Sequence, residues 1–265
     1  MKYFLGKKAI TFEVNQKVVS EQELEFHHQD LMNPNTSWYS RGYTTLKMTD
    51  PFIDAIKTNT KLFIGNAIKK ATGTEIASID KYHHHIKDSR IHLAVLQEIG
   101  KLIQPKLLGI DVNALEQEIK HACAIDFDLT CNNVSDLRIF RPYHGDTMDN
   151  NPLHRDTWLT ILNNCINVYI PVFGNTQFSS LSLIPKSHLW NRDTVERTVD
   201  NAKIKNIQYG LPSVTRINRE FEVLRPNLSG NKILLFSPNI IHGGAVNLNK
   251  DTTRVSIEIR FWRQK

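Results

Sequence analysis

Residues 254–261, Arg-Val-Ser-Ile-Glu-Ile-Arg-Phe, are the last of a series of predicted strands in the second half of the chain. Short apolar or alternating stretches precede them, separated by Gly, Pro and Asn turns, at residues 137–140, 166–172, 181–184 and 232–236. Short strands with turns of this kind are typical of antiparallel sandwiches and barrels. The pattern predicts a double-sheet jelly roll over residues 131–265.

The first half of the chain, residues 1–130, is predicted to be helical instead. A Ser-x-x-Glu capping box over residues 20–23 predicts a short helix that runs toward Leu31. An Asp-Pro pair at residues 50–51 predicts the start of a longer helix, because proline is well tolerated in the first helical turn. Gly73 is expected to end that helix.

Two further helices are predicted before the strands begin. One extends from Asp88 to Ile103, and the other is capped by Asp111. The sequence contains no internal repeat, low-complexity tract or Pro/Ser-rich linker. Residues 1–265 are therefore predicted to form one domain, mainly β, with the helical half first and the jelly roll second.

Bulk composition limits the class of protein. Hydrophobic residues make up 40% of the chain and charged residues 23%, as in ordinary globular proteins. The net charge of +6 is spread along the chain, which indicates solubility or attraction for an anionic small molecule rather than a nucleic-acid surface. Three cysteines without Cys-x-x-Cys spacing argue against disulfides and structural zinc. With no signal peptide or membrane-spanning segment recognised, a cytoplasmic location is expected, and the oligomeric state is left open.

The tripeptide His154-Arg155-Asp156 is the first part of a candidate metal site. On an extended segment, residues i and i+2 point to the same side, so His154 and Asp156 can reach one ion while Arg155 points away. His242 follows an apolar strand and precedes two glycines, which would let backbone or substrate approach closely. Two imidazoles and one carboxylate form the three-ligand face that suits non-haem Fe(II).

Arg254 and Ser256 share one face of the last predicted strand. A guanidinium and a hydroxyl together suit a carboxylate ligand. Alone, a His-x-Asp pair is common, and Arg254 could simply pair with Glu258 on the same strand. All five residues in this order favour a metal-dependent enzyme over these simpler interpretations.

With these residues in place, residues 137–262 resemble the iron(II)/2-oxoglutarate-dependent dioxygenases, specifically the phytanoyl-CoA dioxygenase-like branch. The resemblance implies a double-stranded β-helix, and it implies Fe(II), 2-oxoglutarate and O2 as cofactor and co-substrates. His154, Asp156 and His242 fall on the facial triad, and Arg254 and Ser256 on the pair that binds the distal carboxylate of 2-oxoglutarate. Residues 181–188 resemble a strand and turn of the family, with Lys186 in place of the usual glycine and Ser179 where a glycine often stands.

The family resemblance further implies that residues 1–130 buttress the sheet and contribute to the substrate pocket. The expected reaction is hydroxylation of an aliphatic C–H bond in a small-molecule, sugar-linked or lipid-linked metabolite, with succinate and CO2 as products. Desaturation, epimerisation or cyclisation at the same site remains an alternative. So does a jelly-roll binding protein without catalysis, while a zinc hydrolase would need a general base that is not evident.

Several further residues are weaker candidates. Asn167 and Tyr169 share a face where this family often hydrogen-bonds 2-oxoglutarate. Arg141 and His144 could contact a substrate anion or belong to a solvated loop, and Trp158 could line the iron site or pack in the core. The run of histidines at residues 83–85 is predicted to be solvated or to cap a helix, because neighbouring residues on a helix cannot all face one ion.

Overall fold

The structure, a computed structural model, describes residues 1–23, 35–36, 38–100, 102–142, 149, 151–204 and 207–264. The helices are α1 (Asp50–Thr72), α2 (Tyr82–His85), α3 (Ser89–Ile99) and α4 (Val112–Cys123). The strands are β1 (Lys2–Leu5), β2 (Lys8–Thr11), β3 (Val18–Ser20), β4 (Tyr43–Lys47), β5 (Leu129–Thr130), β6 (Ser135–Phe140), β7 (Cys165–Phe173), β8 (Val195–Thr198), β9 (Lys203–Ile204), β10 (Ile207–Gln208), β11 (Val214–Ile217), β12 (Lys232–Phe236) and β13 (Arg254–Arg263).

The largest sheet is antiparallel and has the strand order β4-β12-β7-β13-β5, with β6 also paired to β13. Successive side chains along each strand point to opposite faces of the sheet, as in any pleated strand. On β13, the apolar side chains pack into the core that the helices share: Val255, Ile257, Ile259 and Phe261. The intervening side chains face the opposite side of the sheet: Arg254, Ser256, Glu258 and Arg260. The sheet thus separates a helix-covered core from a polar face.

Helices α1, α3 and α4 begin where the local sequence predicts, and α1 also ends before Gly73 as predicted. The Thr49 side chain caps α1 by accepting a hydrogen bond from the Phe52 backbone, and Gly73 ends the helix in the left-handed conformation. Asp88 caps α3 and Asp111 caps α4 in the same way. The prediction was wrong about the end of α3, which stops at Ile99 rather than residue 103, because Gly100 has a positive φ of 75°.

The first half of the chain is less helical than the sequence predicted, because it also contains β1–β4. Two of these strands pair with strands from the second half: β4 with β12, and β3 with β8. Strands that depend on pairing with such distant partners show no pattern in their own local sequence that would predict them. The predicted helix at residues 20–31 corresponds to a 3-10 turn over Glu21–Glu23, and residues 24–31 lie outside the described residues.

Four of the five predicted strands in the second half are present, as β6, β7, β12 and β13. The prediction for residues 181–184 was wrong, since this segment makes isolated bridges from Leu183 to Leu224 and to His242. Lys186, at the position of the family's usual glycine, has the left-handed φ of 66° that such a turn demands.

A smaller sheet, β11-β8-β3, and the β1-β2 hairpin lie beside a second apolar core. The hairpin reaches the candidate site, because the Tyr3 hydroxyl donates to the Gly244 carbonyl at 3.0 Å. None of the helices in the described part of the chain is long and apolar enough to cross a bilayer.

Candidate metal centre

Two backbone segments are hydrogen-bonded so that both histidines lie side by side. His154 and His242 form an antiparallel bridge, with an N–H···O distance of 2.9 Å in each direction. The amide of Asp156 donates to the Pro238 carbonyl at 3.0 Å. The extended geometry predicted for this tripeptide covers its first two residues, because Asp156 already begins a 3-10 turn. As expected, Arg155 points away, and its Nε lies 3.0 Å from Glu21 Oε1.

The side chains of His154, Asp156 and His242 meet in a buried cluster. Asp156 Oδ1 lies 3.3 Å from His154 Nε2 and 3.6 Å from His242 Nε2. One donor atom from each residue lies within 4.8 Å of the other two. This spacing allows all three atoms to contact one divalent cation. The donor set fits Fe(II), which accepts imidazole and carboxylate ligands and retains open coordination positions.

Each histidine has its second ring nitrogen fixed by a backbone carbonyl. His154 Nδ1 lies 2.7 Å from the Pro152 oxygen, and His242 Nδ1 lies 3.0 Å from the Ile240 oxygen. A carbonyl can only accept, so both Nδ1 atoms carry the proton and both Nε2 lone pairs are free for a metal. Burial, with a further contribution from His154, lowers the pKa of His242 to about 4, which keeps this ring neutral at neutral pH.

The second oxygen of Asp156 is held by two side chains on facing strands. Oδ2 accepts a hydrogen bond from Asn167 Nδ2 at 2.9 Å and lies 3.3 Å from Arg260 Nη2. Asn167 and Arg260 are directly opposite each other in the pairing of β7 with β13. Burial alone would raise the pKa of Asp156, but Arg260 and the two histidines hold it well below its usual range. Oδ1 is therefore left as the ionised donor that faces the histidines.

Gly243 allows the backbone segments that carry His154 and His242 to approach each other closely. It has a φ of 99°, and an added Cβ would lie 2.4 Å from the Pro152 oxygen and 3.0 Å from His154 Nδ1. A side chain here would therefore clash with the hydrogen bond that orients His154. The close approach expected of the glycines beside His242 is found in the structure.

Arg254 and Ser256 lie on the same polar face of β13, both fully buried. The guanidinium stacks on Phe140, with Cζ 3.6 Å from the ring centroid, and Nη1 donates to the Ser179 carbonyl at 2.8 Å. Among the described residues, neither Arg254 Nε nor Ser256 Oγ has a hydrogen-bond partner in the protein. Glu258, the simpler partner considered for Arg254, instead lies 3.2 Å from Arg138.

Unpartnered buried donors of this kind indicate a ligand. A guanidinium removed from water costs several kcal/mol unless an anion or acceptor compensates it. Burial lowers the pKa of Arg254, yet the group remains charged at neutral pH because a guanidinium starts so high. The arrangement therefore fits one carboxylate of a dicarboxylic acid such as 2-oxoglutarate.

One cavity joins the ligand cluster to the arginine. It has a volume of about 480 Å³, and its lining includes His154, Asp156, His242, Arg254 and Phe140. A volume in this range is typical of sites for small molecules. A larger groove of about 650 Å³ lies beside Asp111 and Cys131, away from these residues. We assign the chemistry to the smaller cavity because the ligand cluster lies there.

The structure places the remaining candidate residues from the sequence in different surroundings. Asn167 donates a hydrogen bond to Asp156, and Tyr169 lies beside Arg254, with 5.9 Å between Arg254 Cζ and the ring centroid. Arg141 is buried in an ion pair with Asp149 at 3.0 Å, and it is not part of the cavity lining. His144 lies outside the described residues.

Trp158 belongs to the second apolar core rather than to the cavity. Its indole Nε1 donates to Glu21 at 2.6 Å, and Arg197 Cζ lies 5.0 Å from the ring centroid. Of the two alternatives considered for Trp158, this position agrees with packing in the core, and the indole follows the 3-10 turn that begins at Asp156.

Arg260 is a site residue that the sequence did not predict. Strand alternation places it on the face of Arg254 and Ser256, which was the available pattern. Its partner, however, is the carboxylate of Asp156, which lies 104 residues earlier in the chain. No local feature of the sequence identifies such a pair.

We expect the Arg260→Met variant to bind Fe(II) about 10–100-fold more weakly, as is typical when a group that orients a metal ligand is removed. Equilibrium dialysis under anaerobic conditions measures this affinity. Arg263→Met is the matched control, because it removes the same charge from the same strand at an exposed position. Equal affinity of the two variants would show that Arg260 does not orient Asp156.

Comparisons with known proteins identify no family for this chain. No family model matches the sequence, and no curated protein matches it. Solved structures do match. AviO1 from Streptomyces viridochromogenes Tue57 has a TM-score of 0.48 and 16% identity, covering 85% of this chain and 91% of that one. EctD from S. alaskensis with 2-oxoglutarate and 5-hydroxyectoine has a TM-score of 0.47 and 13% identity, covering 95% and 86%. The non-heme monooxygenase ThoJ has a TM-score of 0.47 and 11% identity, covering 85% and 75%.

Proposed function

We propose that this protein is an Fe(II)- and 2-oxoglutarate-dependent dioxygenase. The observation that carries the proposal is one cavity that contains both a buried His-Asp-His cluster and a buried arginine with an unpartnered donor. A metal site alone would be compatible with many proteins. This class of enzyme also requires a cationic site that binds a carboxylate, and Arg254 provides one in the same cavity. The proposal includes a single domain whose sheets form a double-stranded β-helix.

In the proposed enzyme, His154, Asp156 and His242 hold the iron. Arg254 and Ser256 bind the distal carboxylate of 2-oxoglutarate, and Tyr169 packs beside them. When bound, the iron and 2-oxoglutarate supply, with O2, an oxidant for a substrate C–H bond and yield succinate and CO2. The protein contributes the position of each ligand and the cavity in which they meet.

The chain's own residues decide how the site is held. Arg260 and Asn167 keep Asp156 ionised and turned toward the histidines, while Pro152 and Ile240 fix the two rings. A carboxylate at position 156 occupies the place that a small residue takes in related halogenases. Hydroxylation is therefore favoured over halogenation.

The proposed substrate is a small molecule that enters over a mixed surface. The cavity lining includes the charged residues Arg138, Glu258 and Arg260, together with several apolar ones: Leu159, Ile161, Leu162 and Leu211. We propose hydroxylation of an aliphatic carbon, with desaturation, epimerisation or cyclisation as the alternative outcomes. Product mass separates hydroxylation, which adds one oxygen atom, from epimerisation, which leaves the mass unchanged, and from desaturation or cyclisation, which each remove two hydrogens.

The proposal predicts that anaerobic Fe(II) and 2-oxoglutarate together produce a weak visible charge-transfer band, and that O2 then releases succinate. Absorption spectroscopy and succinate assays of metabolite pools measure these two results. Glutarate is the matched control ligand, since it keeps both carboxylates but lacks the 2-oxo group that chelates iron. Absence of both the band and succinate would favour a binding protein without catalysis.

A further inference from the structure

A second group of possible metal ligands lies at the surface, outside the candidate centre. It consists of His83, His84 and Asp251, and one donor atom from each lies within 4.8 Å of the other two. The sequence predicts solvated or capping histidines here, because neighbours on a helix cannot all face one ion. His83 and His84, on the single turn α2, nevertheless contact the same carboxylate. That carboxylate belongs to Asp251, which lies far along the chain.

We propose that His83, His84 and Asp251 bind a divalent transition-metal ion of the Zn²⁺ type. Asp251 Oδ1 lies 3.0 Å from His83 Nε2 and also contacts His84 Nε2. Both imidazoles therefore direct the same ring nitrogen at the same carboxylate oxygen. Two neutral imidazoles and a carboxylate suit Zn²⁺, Co²⁺ or Ni²⁺ better than Mg²⁺ or Ca²⁺, which prefer all-oxygen sites.

Neighbouring groups orient these ligands as they would around a metal. His83 Nδ1 lies 2.9 Å from Thr253 Oγ1, which fixes the ring and leaves Nε2 for the ion. Lys81 Nζ lies 2.6 Å from Asp251 Oδ2, so the second carboxylate oxygen is occupied and Oδ1 remains. The same division occurs at Asp156, where Arg260 and Asn167 take Oδ2.

Exposure determines what kind of site this is. The side chains of His84 and Asp251 are 52% and 55% exposed, whereas that of His83 is 11% exposed. Water can therefore complete the coordination, and the ion would exchange with solvent. The side chain of Lys81 is 39% exposed, so solvent screens its repulsion of the cation. The cluster is thus suited to a structural or regulatory ion rather than to a water-excluding reaction centre.

An ion here would join two parts of the chain at the entrance to β13. Thr253 contacts His83 through its hydroxyl and Asp80 through its backbone amide, at 2.8 Å. It directly precedes Arg254, the proposed carboxylate-binding residue. A bound ion would therefore hold the start of β13 against α2.

Zn²⁺ stoichiometry at micromolar free metal tests the proposal. We expect the His84→Ala variant to bind one Zn²⁺ fewer per chain than the wild-type protein, as measured by equilibrium dialysis and elemental analysis. His85→Ala is the matched control, because His85 is an exposed neighbour on the same turn and not part of the cluster. It should bind as many ions as the wild type.

The experiment separates this ion from one at the buried centre. Combining His84→Ala with His154→Ala should remove one ion more than His154→Ala alone. Zinc should also raise the melting temperature of the His85→Ala protein more than that of the His84→Ala protein. Equal stoichiometry in His84→Ala and His85→Ala would overturn the proposal, whatever the result at the buried centre.

Discussion

Replacement of His242 or His154 by alanine is expected to reduce succinate release to the level of a protein-free blank. Each change removes one of three proposed iron ligands and leaves the Asp156 carboxylate with one imidazole beside it. Two remaining ligands hold a first-row metal much less tightly, and the open positions are no longer confined to one face. Succinate assays with a saturating supply of Fe(II) measure the turnover, and metal analysis measures the bound iron.

The control for this experiment is His121→Ala. His121 is an exposed histidine in the last turn of α4, far from the cluster in sequence and absent from it in space. Circular dichroism should show folded protein for all three variants, so that lost turnover is not attributed to unfolding. Full activity in either of the two buried-histidine variants would refute the ligand assignment.

Local sequence predicted those parts of the fold whose causes are local. Asp88 and Asp111 cap helices because a side-chain oxygen can reach an amide two or three residues ahead, and both residues stand directly before an apolar-periodic segment. Strand β13 was predicted because its alternation matches the pleat. By contrast, β3 and β4 are short, and their existence depends on pairing with strands more than 150 residues away.

The candidate site was predictable to the same extent. His154, Asp156 and His242 could be selected by residue type and order, and the structure brings them together. The contacts that orient them could not be selected in this way. Arg260 and Asn167 meet Asp156 only because the register of β7 against β13 places them opposite each other. Residue type likewise left Trp158 open between the metal site and the core, because it does not reveal the turn that begins at Asp156.

The second prediction with a large effect concerns Arg254. We expect the Arg254→Ala variant to bind 2-oxoglutarate about 100-fold or more weakly, which corresponds to about 3 kcal/mol. The variant removes a buried cation from the carboxylate it is proposed to bind, and it leaves Ser256 as the remaining polar contact. A titration of the visible band with 2-oxoglutarate under anaerobic conditions measures the affinity.

Fe(II) affinity should change by less than about threefold in the same variant, because Arg254 contacts Ser179 and Phe140 rather than the metal ligands. This difference between the two ligands distinguishes a carboxylate clamp from a general loss of structure. Arg254→Lys provides the conservative comparison. It keeps the charge but loses both the planar fork and the stacking on Phe140. Its affinity for 2-oxoglutarate should therefore lie between those of the wild-type protein and Arg254→Ala. An unchanged affinity for 2-oxoglutarate in Arg254→Ala would show that the carboxylate binds elsewhere in the cavity.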